Sequence, residues 1–501
     1  MTQKPKSEDF RIILAYAGQI TTGLGIMCAI PLVVAGLELE WVSFSDFIIT
    51  GSICVLLGKF LSVLMPKDAR PGWVHGMVAT AFSWLLVSAL AAIPYILSGH
   101  YGSYLDSFFD AMSGFTTTGL TLIMDLDHVS RSLNTWRHVI TFVGGQGVVV
   151  LALSFLIGGA RGGYELYVGE AKDERLFPHV INTAKAIWRI SFAYLIAGTL
   201  LQWIAGIVIG LPVKEAFYHG LWVYLAAWST GGFAPMAQNI GFYHSALYEF
   251  VCLVFFVVGS MNFSLHHAML SGNRKELFKN AEILSFAATF LGTFALIAWA
   301  LANGHVYANM EILMRKTFLH AISAHTTTGF MTIQARQFLL EWNPVALAGM
   351  IIAMLIGGSA CSTAGGIKGL RVSGLWLAAK NEVRALLLPR HAVFRKTMHY
   401  TGDHALDDER VKMFALVTVM YFATWTIAVV AGLLCGYSPL ESAFEAASVT
   451  GNVGLSIGVT QPSMPAFLKI TYILAIWVGR LEFMAVLVLG EFLVSALRKK
   501  Q

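Results

Sequence analysis

The chain has 501 residues, of which 56 % are hydrophobic and 13 % charged, with a mean hydropathy of +0.66. A soluble domain carries about 25 % charge, so half that share excludes a water-soluble fold and points to a chain solvated by lipid. The net charge of +5 contains no basic block interleaved with aromatics, which argues against nucleic acid as a partner.

A spanning helix needs about 20 mostly apolar residues. After a polar start (2–11) comes an apolar run too long for a signal peptide and lacking a cleavage site. Spans are predicted at 12–37 and 46–65, an N-terminal two-helix extension within 1–73. A unit over 74–180 then holds a span at 74–98, a short semi-polar segment at 104–115 and a span at 136–158. The same order returns over 181–280 (184–211, 214–228, 245–270), over 281–400 (283–303, 311–325, 343–377) and over 401–501 (411–434, 438–449, 465–497). The short segments would make helices of about 18–23 Å, too short for a hydrocarbon core of about 30 Å. They begin near Asp106 and Asp110, Glu215, Glu311, and Glu441 and Glu445, where carboxylates suit the positive end of a helix dipole. They read as half-helices that enter the membrane and return.

A Thr-Gly pair stands at the end of each half-helix: Thr118-Gly119, Thr230-Gly231, Thr328-Gly329 and Thr450-Gly451. A second glycine follows 28 residues later at Gly259, Gly357 and Gly479, and 25 to 26 residues later at Gly144-Gly145 in the first unit. One such pair would be an ordinary helix cap. Four, each after a half-helix, indicate an internal repeat. Basic residues set the orientation. Of 34 Lys and Arg, only Arg131, Arg137, Lys214, Arg315, Lys316, Arg336 and Lys469 fall outside if the N-terminus is inside, and Arg480 is intramembrane. The half-helices then open from the outer face, and the largest inner loop, 378–410, carries Lys380, Arg384, Arg390, Arg395 and Lys396.

A cation crossing lipid must exchange its water for oxygen dipoles. Backbone carbonyls supply them without adding full charge, glycine permits the backbone conformation required, and half-helix C-termini aim partial negative charge at the ion. Four such loops about one axis would make rings of oxygens. The stretch 357–366 interrupts a helix at membrane depth, which is tolerated only beside protein or a watery cavity. It ends in Gly-Gly-Ile-Lys but lacks the spacing and preceding strand of a phosphate loop; a packing kink is the plainer alternative. Arg480 is the one basic residue deep in an apolar run, and an intramembrane charge is a functional candidate by default. Glu482 is too close along the helix to face it, and Glu491 too far.

These motifs resemble the Trk/Ktr/HKT superfamily of potassium transporters, and within it the Trk-type (TrkH-like) membrane subunit. The resemblance covers nearly the whole chain. It rests on the four loops, on Gly357-Gly358-Ser359-Ala360-Cys361-Ser362-Thr363-Ala364-Gly365-Gly366-Ile367-Lys368, and on Gly479-Arg480-Leu481-Glu482. The two extra N-terminal helices favour Trk over Ktr.

The resemblance implies an all-α integral membrane fold. Four tandem helix–half-helix–filter loop–helix repeats stand in pseudo-fourfold arrangement around one pore, plus the two N-terminal transmembrane helices. It implies a potassium filter at Thr116, Thr117, Thr118, Gly119, Ser229, Thr230, Gly231, Thr326, Thr327, Thr328, Gly329, Val449, Thr450, Gly451 and Asn452, with the ion held at Thr117, Thr118, Thr230, Thr327, Thr328 and Thr450. Serine at the filter glycine is associated with sodium conduction, and glycine at Gly119, Gly231, Gly329 and Gly451 implies potassium. The fourth loop lacks the threonine run, so the symmetry is imperfect and the selectivity looser than in tetrameric potassium channels. Residues 357–366 become an intramembrane gating loop, and Arg480 a charge in the permeation path that opposes cations at rest. Partners implied are a homodimer with one pore per subunit, the lipid bilayer, and a cytosolic nucleotide-binding regulatory subunit (TrkA-like) docked on basic surface such as 378–410. The location implied is the cell (inner) membrane, with both termini cytoplasmic. Potassium is the bound and transported ion, with no covalent cofactor.

No catalytic constellation is present, so no enzyme is expected. His266, His267, His320 and His325 are scattered across repeats, which suits polar packing better than metal or proton coupling. Asn262 is expected between helices or at the inner vestibule. Cys28, Cys54, Cys252, Cys361 and Cys435 lie far apart in apolar runs and read as small buried hydrophobes. A sodium- or proton-coupled potassium symporter stays open as an alternative. An inverted-repeat transporter of an organic solute is disfavoured, because it predicts two related halves rather than four units.

Overall fold

The computed structural model describes residues 4–66, 68, 71–123, 125–147, 150, 180–387, 397–400 and 402–498. Helices α1 (Ser7–Met27) and α2 (Ala29–Leu37) form one span, and α3 (Trp41–Ser62) lies against it. A Cβ on Gly18 or Gly58 would overlap the facing helix's backbone. Small residues allow this close approach where lipid supplies no hydrophobic force between helices.

The first unit follows with α4 (Trp73–Ala91), α5 (Ile93–Leu97), α6 (Tyr104–Phe115) and α7 (Arg131–Gln146). The second holds α8 (Val180–Val208), α9 (Val213–Trp228), α10 (Ala246–Gly259) and α11 (Phe263–Leu270). A turn of helix, α12 (Glu276–Lys279), leads to the third: α13 (Ala281–Asn303), α14 (Met310–His325), α15 (Ala335–Glu341), α16 (Pro344–Ile356) and α17 (Gly369–Leu387). A small antiparallel hairpin, β1 (Thr397–His399) and β2 (Asp403–Ala405), precedes α18 (Asp408–Leu434), α19 (Pro439–Thr450), α20 (Ala466–Arg480) and α21 (Met484–Leu497).

The half-helices are α6, α9, α14 and α19, within a residue of their predicted bounds. Local chemistry starts them. Ser103 Oγ accepts from Asp106 N at α6, and at α19 Ser438 and Glu441 form a reciprocal capping box ahead of Pro439. Of the predicted spans, Ser7–Leu37, Trp41–Ser62, Trp73–Leu97, Asn182–Val208, Ala281–Asn303 and Asp408–Leu434 are long and apolar enough to cross a membrane.

Two expected straight spans are bent. The run 245–270 turns by 101° between α10 and α11, and 465–497 by 114° between α20 and α21. At the first bend Asn262 caps the new helix, its Oδ1 accepting from Ser264 N at 2.7 Å. At the second, Glu482 and Phe483 take φ of 49° and 72°, and the Glu482 carboxylate pairs with Lys368 and Arg371. The run 343–377 is broken into α16 and α17, as its glycines suggested. The predicted span 136–158 runs into 148–149 and 151–158, outside the described residues, as are Arg390, Arg395 and Lys396 of the basic loop. One contiguous core joins the units and buries Trp84, Trp136 and Trp228 completely.

Candidate functional site

The chain leaving each half-helix follows one backbone path. The second residue beyond the helix takes positive φ in every unit: Thr117 56°, Thr230 49°, Thr327 54° and Asn452 54°. The next residue's N–H returns to a carbonyl five back, from Thr118 to Ser113, Gly231 to Ala226, Thr328 to Ser323 and Val453 to Ser448, each at 2.8 Å. A glycine with positive φ comes next, at Gly119 (80°), Gly232 (60°), Gly329 (86°) and Gly454 (96°). Positive φ is unfavourable for β-branched threonine, and such outliers cluster at functional sites.

This path corrects the register expected from the Thr-Gly pairs. Gly231 corresponds to Thr118 rather than Gly119, and Gly451 to Thr116. Gly232, Val453 and Gly454 are the residues the pairs missed. Val449 and Thr450 lie in the last turn of α19, outside the loop. The usable signal was the neighbour rather than the threonine: each loop glycine precedes a large buried apolar residue, namely Leu120, Phe233, Phe330 and Leu455.

The four loops close on one another. A Cβ on Gly119 would overlap the Gly231 carbonyl, one on Gly232 the Thr328 carbonyl, one on Gly329 that of Val453, and one on Gly454 that of Thr118. The contacts run from first unit to second, third, fourth and back to first, so the loops encircle a common line. Every predicted loop residue among Thr116–Thr118, Ser229–Thr230 and Thr326–Thr328, with Asn452, is fully buried. Thr116 and Thr118 share a hydroxyl hydrogen bond at 2.8 Å, as do Thr326 and Thr328.

The recurring later glycines have a packing cause. A Cβ on Gly144, Gly259 or Gly479 would overlap the carbonyl of Phe115, Trp228 or Thr450, the last residue of the half-helix in the same unit. In the third unit Gly357 abuts Gly365 instead. There, residues 357–368 leave the helix and press against the foot of the ring. Gly365 N donates to Thr327 Oγ1 at 2.8 Å, and Thr363 Oγ1 bonds Thr230 Oγ1 at 3.1 Å and Gly259 O at 2.8 Å. Arg480 donates from Nη1 to Thr363 O at 2.7 Å and Thr117 Oγ1 at 3.2 Å, and from Nη2 to Gly144 O at 2.7 Å. Asn452 donates to Thr118 Oγ1 at 3.1 Å and Ile476 O at 2.9 Å. The broken segment is anchored laterally, where Ser359 N donates to Ser260 O at 3.1 Å and Ala360 N to Glu282 Oε1 at 2.7 Å.

On the face where the half-helices begin, ion pairs join neighbouring units. Arg131 of α7 pairs with Glu215 of α9, Glu249 of α10 with Arg315 of α14 at 2.8 Å, and Lys469 of α20 with Asp106 of α6 at 2.5 Å. Among the described residues no such pair joins α16 to α19. The histidines make packing contacts: His266 Nε2 donates to Val258 O at 3.0 Å, and His325 Nε2 bonds Thr289 Oγ1 at 2.8 Å. Asn262 lies between helices, its amide 3.4 Å from Glu282. Cys28, Cys54, Cys252 and Cys361 are buried and Cys435 is half-buried.

The signature of a family described as TrkH, cation transport protein, matches residues 43–495. An uncharacterized cation transporter of Methanocaldococcus jannaschii is 31 % identical over 484 residues, covering 96 % of this chain and 95 % of that one. The Trk system potassium uptake protein TrkH of Escherichia coli is 27 % identical over 424 residues, covering 83 % and 84 %. The crystal structure of the potassium transporter TrkH from Vibrio parahaemolyticus superposes with a TM-score of 0.80 at 24 % identity, covering 96 % of this chain and 98 % of that one.

Proposed function

This chain belongs to the TrkH family of cation transport proteins, and on that premise we propose that it takes up potassium passively through the ring of four loops. The observation that carries the reading is the closed circuit of glycine-to-carbonyl contacts from each unit to the next. A dehydrated alkali ion needs oxygen dipoles on all sides. Loops that meet around one line, each at the C-terminal end of a half-helix, supply that geometry with partial negative charge aimed inward. The units are 74–180, 181–280, 281–400 and 401–501. The ion ligands are the carbonyls of 116–119, 229–232, 326–329 and 451–454 and the side chains of Thr117, Thr230, Thr327 and Asn452. The glycine argument for potassium carries over to the corrected set Gly119, Gly232, Gly329 and Gly454.

Residues 357–366 and Arg480 are the gate. They meet side chains at the foot of the ring, and Arg480 puts a positive charge there. Because α17 starts where the broken segment ends and exposes Lys380 and Arg384, a nucleotide-binding cytosolic subunit docked on that surface would act on the gate directly. The half-helices open to the outer face, both termini are cytoplasmic, and the protein works as a homodimer in the cell (inner) membrane.

The test is flux of potassium, rubidium and sodium into liposomes holding the purified protein, at clamped voltage, with and without a pH gradient. Potassium and rubidium flux that persists without any coupling gradient is the expected result. Flux that stops when the proton or sodium gradient is removed would replace passive conduction with ion-coupled symport.

A further inference from the structure

Behind three of the four loops, one buried half-helix side chain takes the backbone N–H of the third residue after the loop glycine. Asp110 Oδ1 accepts from Leu122 N at 2.7 Å, His320 Nε2 from Thr332 N at 3.2 Å, and Glu445 Oε1 from Ile457 N at 3.0 Å. All three acceptors are fully buried. Each stands six residues before the first loop residue (Thr116, Thr326, Gly451), and each donor stands three after the glycine (Gly119, Gly329, Gly454). Three chemically different residues thus do one job at one position.

The second unit shows that the pairing is matched. Its two corresponding positions are Val223, buried and apolar, and Pro235, which has no N–H to satisfy. The acceptor is present where a donor exists and absent where none does. There the chain is held instead from the neighbouring unit, as Arg137 Nη1 donates to Ala234 O at 3.2 Å and its guanidinium lies 4.4 Å from the Phe233 ring centroid.

His320 is specified on both nitrogens. Its Nδ1 lies 2.7 Å from the Lys316 carbonyl, which can only accept, so Nδ1 carries the proton and Nε2 is left to receive Thr332 N–H. Asp110 also takes hydroxyls from Thr121 at 2.6 Å and Tyr101 at 2.8 Å, and Glu445 takes Val459 N at 3.2 Å and Thr460 Oγ1 at 2.9 Å. Each brace ties the rigid half-helix to the chain just outside the ring.

We propose that Asp110, His320 and Glu445 are positioning residues that fix the path of the chain leaving the loop glycine in the first, third and fourth units, and so the width of the ring and its preference for potassium over sodium. The inference rests on the reading of the ring as the ion path. Its test is a pair swap within the third unit, read in full-length protein in liposomes as the potassium-to-sodium permeability ratio. His320→Val strands the half-buried Thr332 N–H, and the ratio falls by about tenfold, the lower end of the scale for one unsatisfied donor. His320→Val with Thr332→Pro copies the natural pair Val223 and Pro235 and recovers most of the loss. A ratio unchanged in His320→Val, or a double variant no better than the single, overturns the brace.

If the valine variants do not assemble, His320→Gln and His320→Asn decide the matter. Glutamine places an amide oxygen where Nε2 stood and keeps the ratio, whereas asparagine is too short to reach Thr332 and loses it. Equal ratios in that pair overturn the proposal. Wild-type protein with no potassium-selective flux would instead remove the ion-path reading underneath.

Discussion

Two regions on the same central line are built by opposite rules. The ring of loops is made four times over. Each unit contributes the same backbone path, the same glycine position and the same carbonyl contact to the next unit. Among the described residues the foot of the ring is made from unlike parts. Its irregular segment, 357–368, comes from the third unit and its arginine from the fourth, and Glu482 of the fourth unit holds Lys368 and Arg371 of the third. If the ring surrounds the ion as proposed, it needs equal walls, and repetition serves it. If the foot is the proposed gate, its unlike parts let it move while the ring's walls stay standing. The near-face ion pairs follow the same division, joining three of the four seams but not, among the described residues, the one between α16 and α19, where α16 leads into the break.

The sharpest way to break this contrast is at a ring glycine. Gly454 has φ of 96°, and a Cβ there would overlap the Thr118 carbonyl across the closing contact of the circuit. Gly451, the glycine of the Thr-Gly pair, has helical φ of −79°, and its Cβ would meet the Met354 carbonyl at 2.7 Å. Gly454→Ala is expected to cost about 3 kcal/mol or more, from left-handed backbone strain plus overpacking, and to abolish potassium flux. Gly451→Ala carries only the overpacking part. Thermal unfolding in detergent, with flux in liposomes, ranks the two, and the reverse order would restore the Thr-Gly register and undo the ring as described.

That register shows what the letters could and could not carry. The half-helices were readable because length against membrane thickness and acids at the start are local properties, and the observed α6, α9, α14 and α19 agree. The loop glycines of the second and fourth units were not, because threonine before glycine is a common cap and the true marker is the buried residue after it. The bends at Asn262 and at Glu482–Phe483 left no trace in hydropathy. One arises from a side-chain cap, the other from partners at Lys368 and Arg371, more than a hundred residues away in sequence. The braces behind the loops depend on which backbone N–H faces which half-helix, a tertiary fact that only alignment by structure exposes.

A second, smaller effect probes the foot. Arg480 sets its guanidinium among the Thr363 and Gly144 carbonyls and the Thr117 hydroxyl. Two unit charges 4 Å apart interact by about 4 kcal/mol at an effective dielectric of 20. Removing even part of that repulsion from the ion path should be visible. Arg480→Ala is expected to raise potassium flux by about tenfold while leaving the potassium-to-sodium ratio near its wild-type value, because the ring loses one hydrogen bond at Thr117 but keeps its backbone path and the contacts between its loops. Higher flux with collapsed selectivity would show that foot and ring are one unit after all. Unchanged flux at normal expression would remove Arg480 from the path.

The mildest test lies at the rim, where Glu38 ties the N-terminal extension to the first two units. Its carboxylate pairs with Arg131, accepts from Lys214 at 2.8 Å and accepts from the Tyr218 hydroxyl at 2.7 Å. Burial alone would raise its pKa. The hydrogen bonds from Lys214, Tyr218 and Arg131, with the Arg131 charge, outweigh burial and hold it at about 2 against an ordinary 4.5. A depressed carboxylate contributes stability that is fully present above pH 4.5 and is lost as pH falls toward 2. Glu38→Gln should therefore lower the melting temperature slightly at neutral pH, at a cost of about 1 kcal/mol for a partly exposed pair. The gap from wild type should narrow as pH drops through that window. It should leave ion selectivity alone, since on the proposed reading three of the ring's walls are braced from behind by their own half-helices and the second is held by Arg137, and Glu38 touches none of these groups. A gap that stays constant from pH 7 to pH 3 would mean the tie is not ionic. A change in selectivity would mean the repeated region leans on the extension, and that its four walls are not equal.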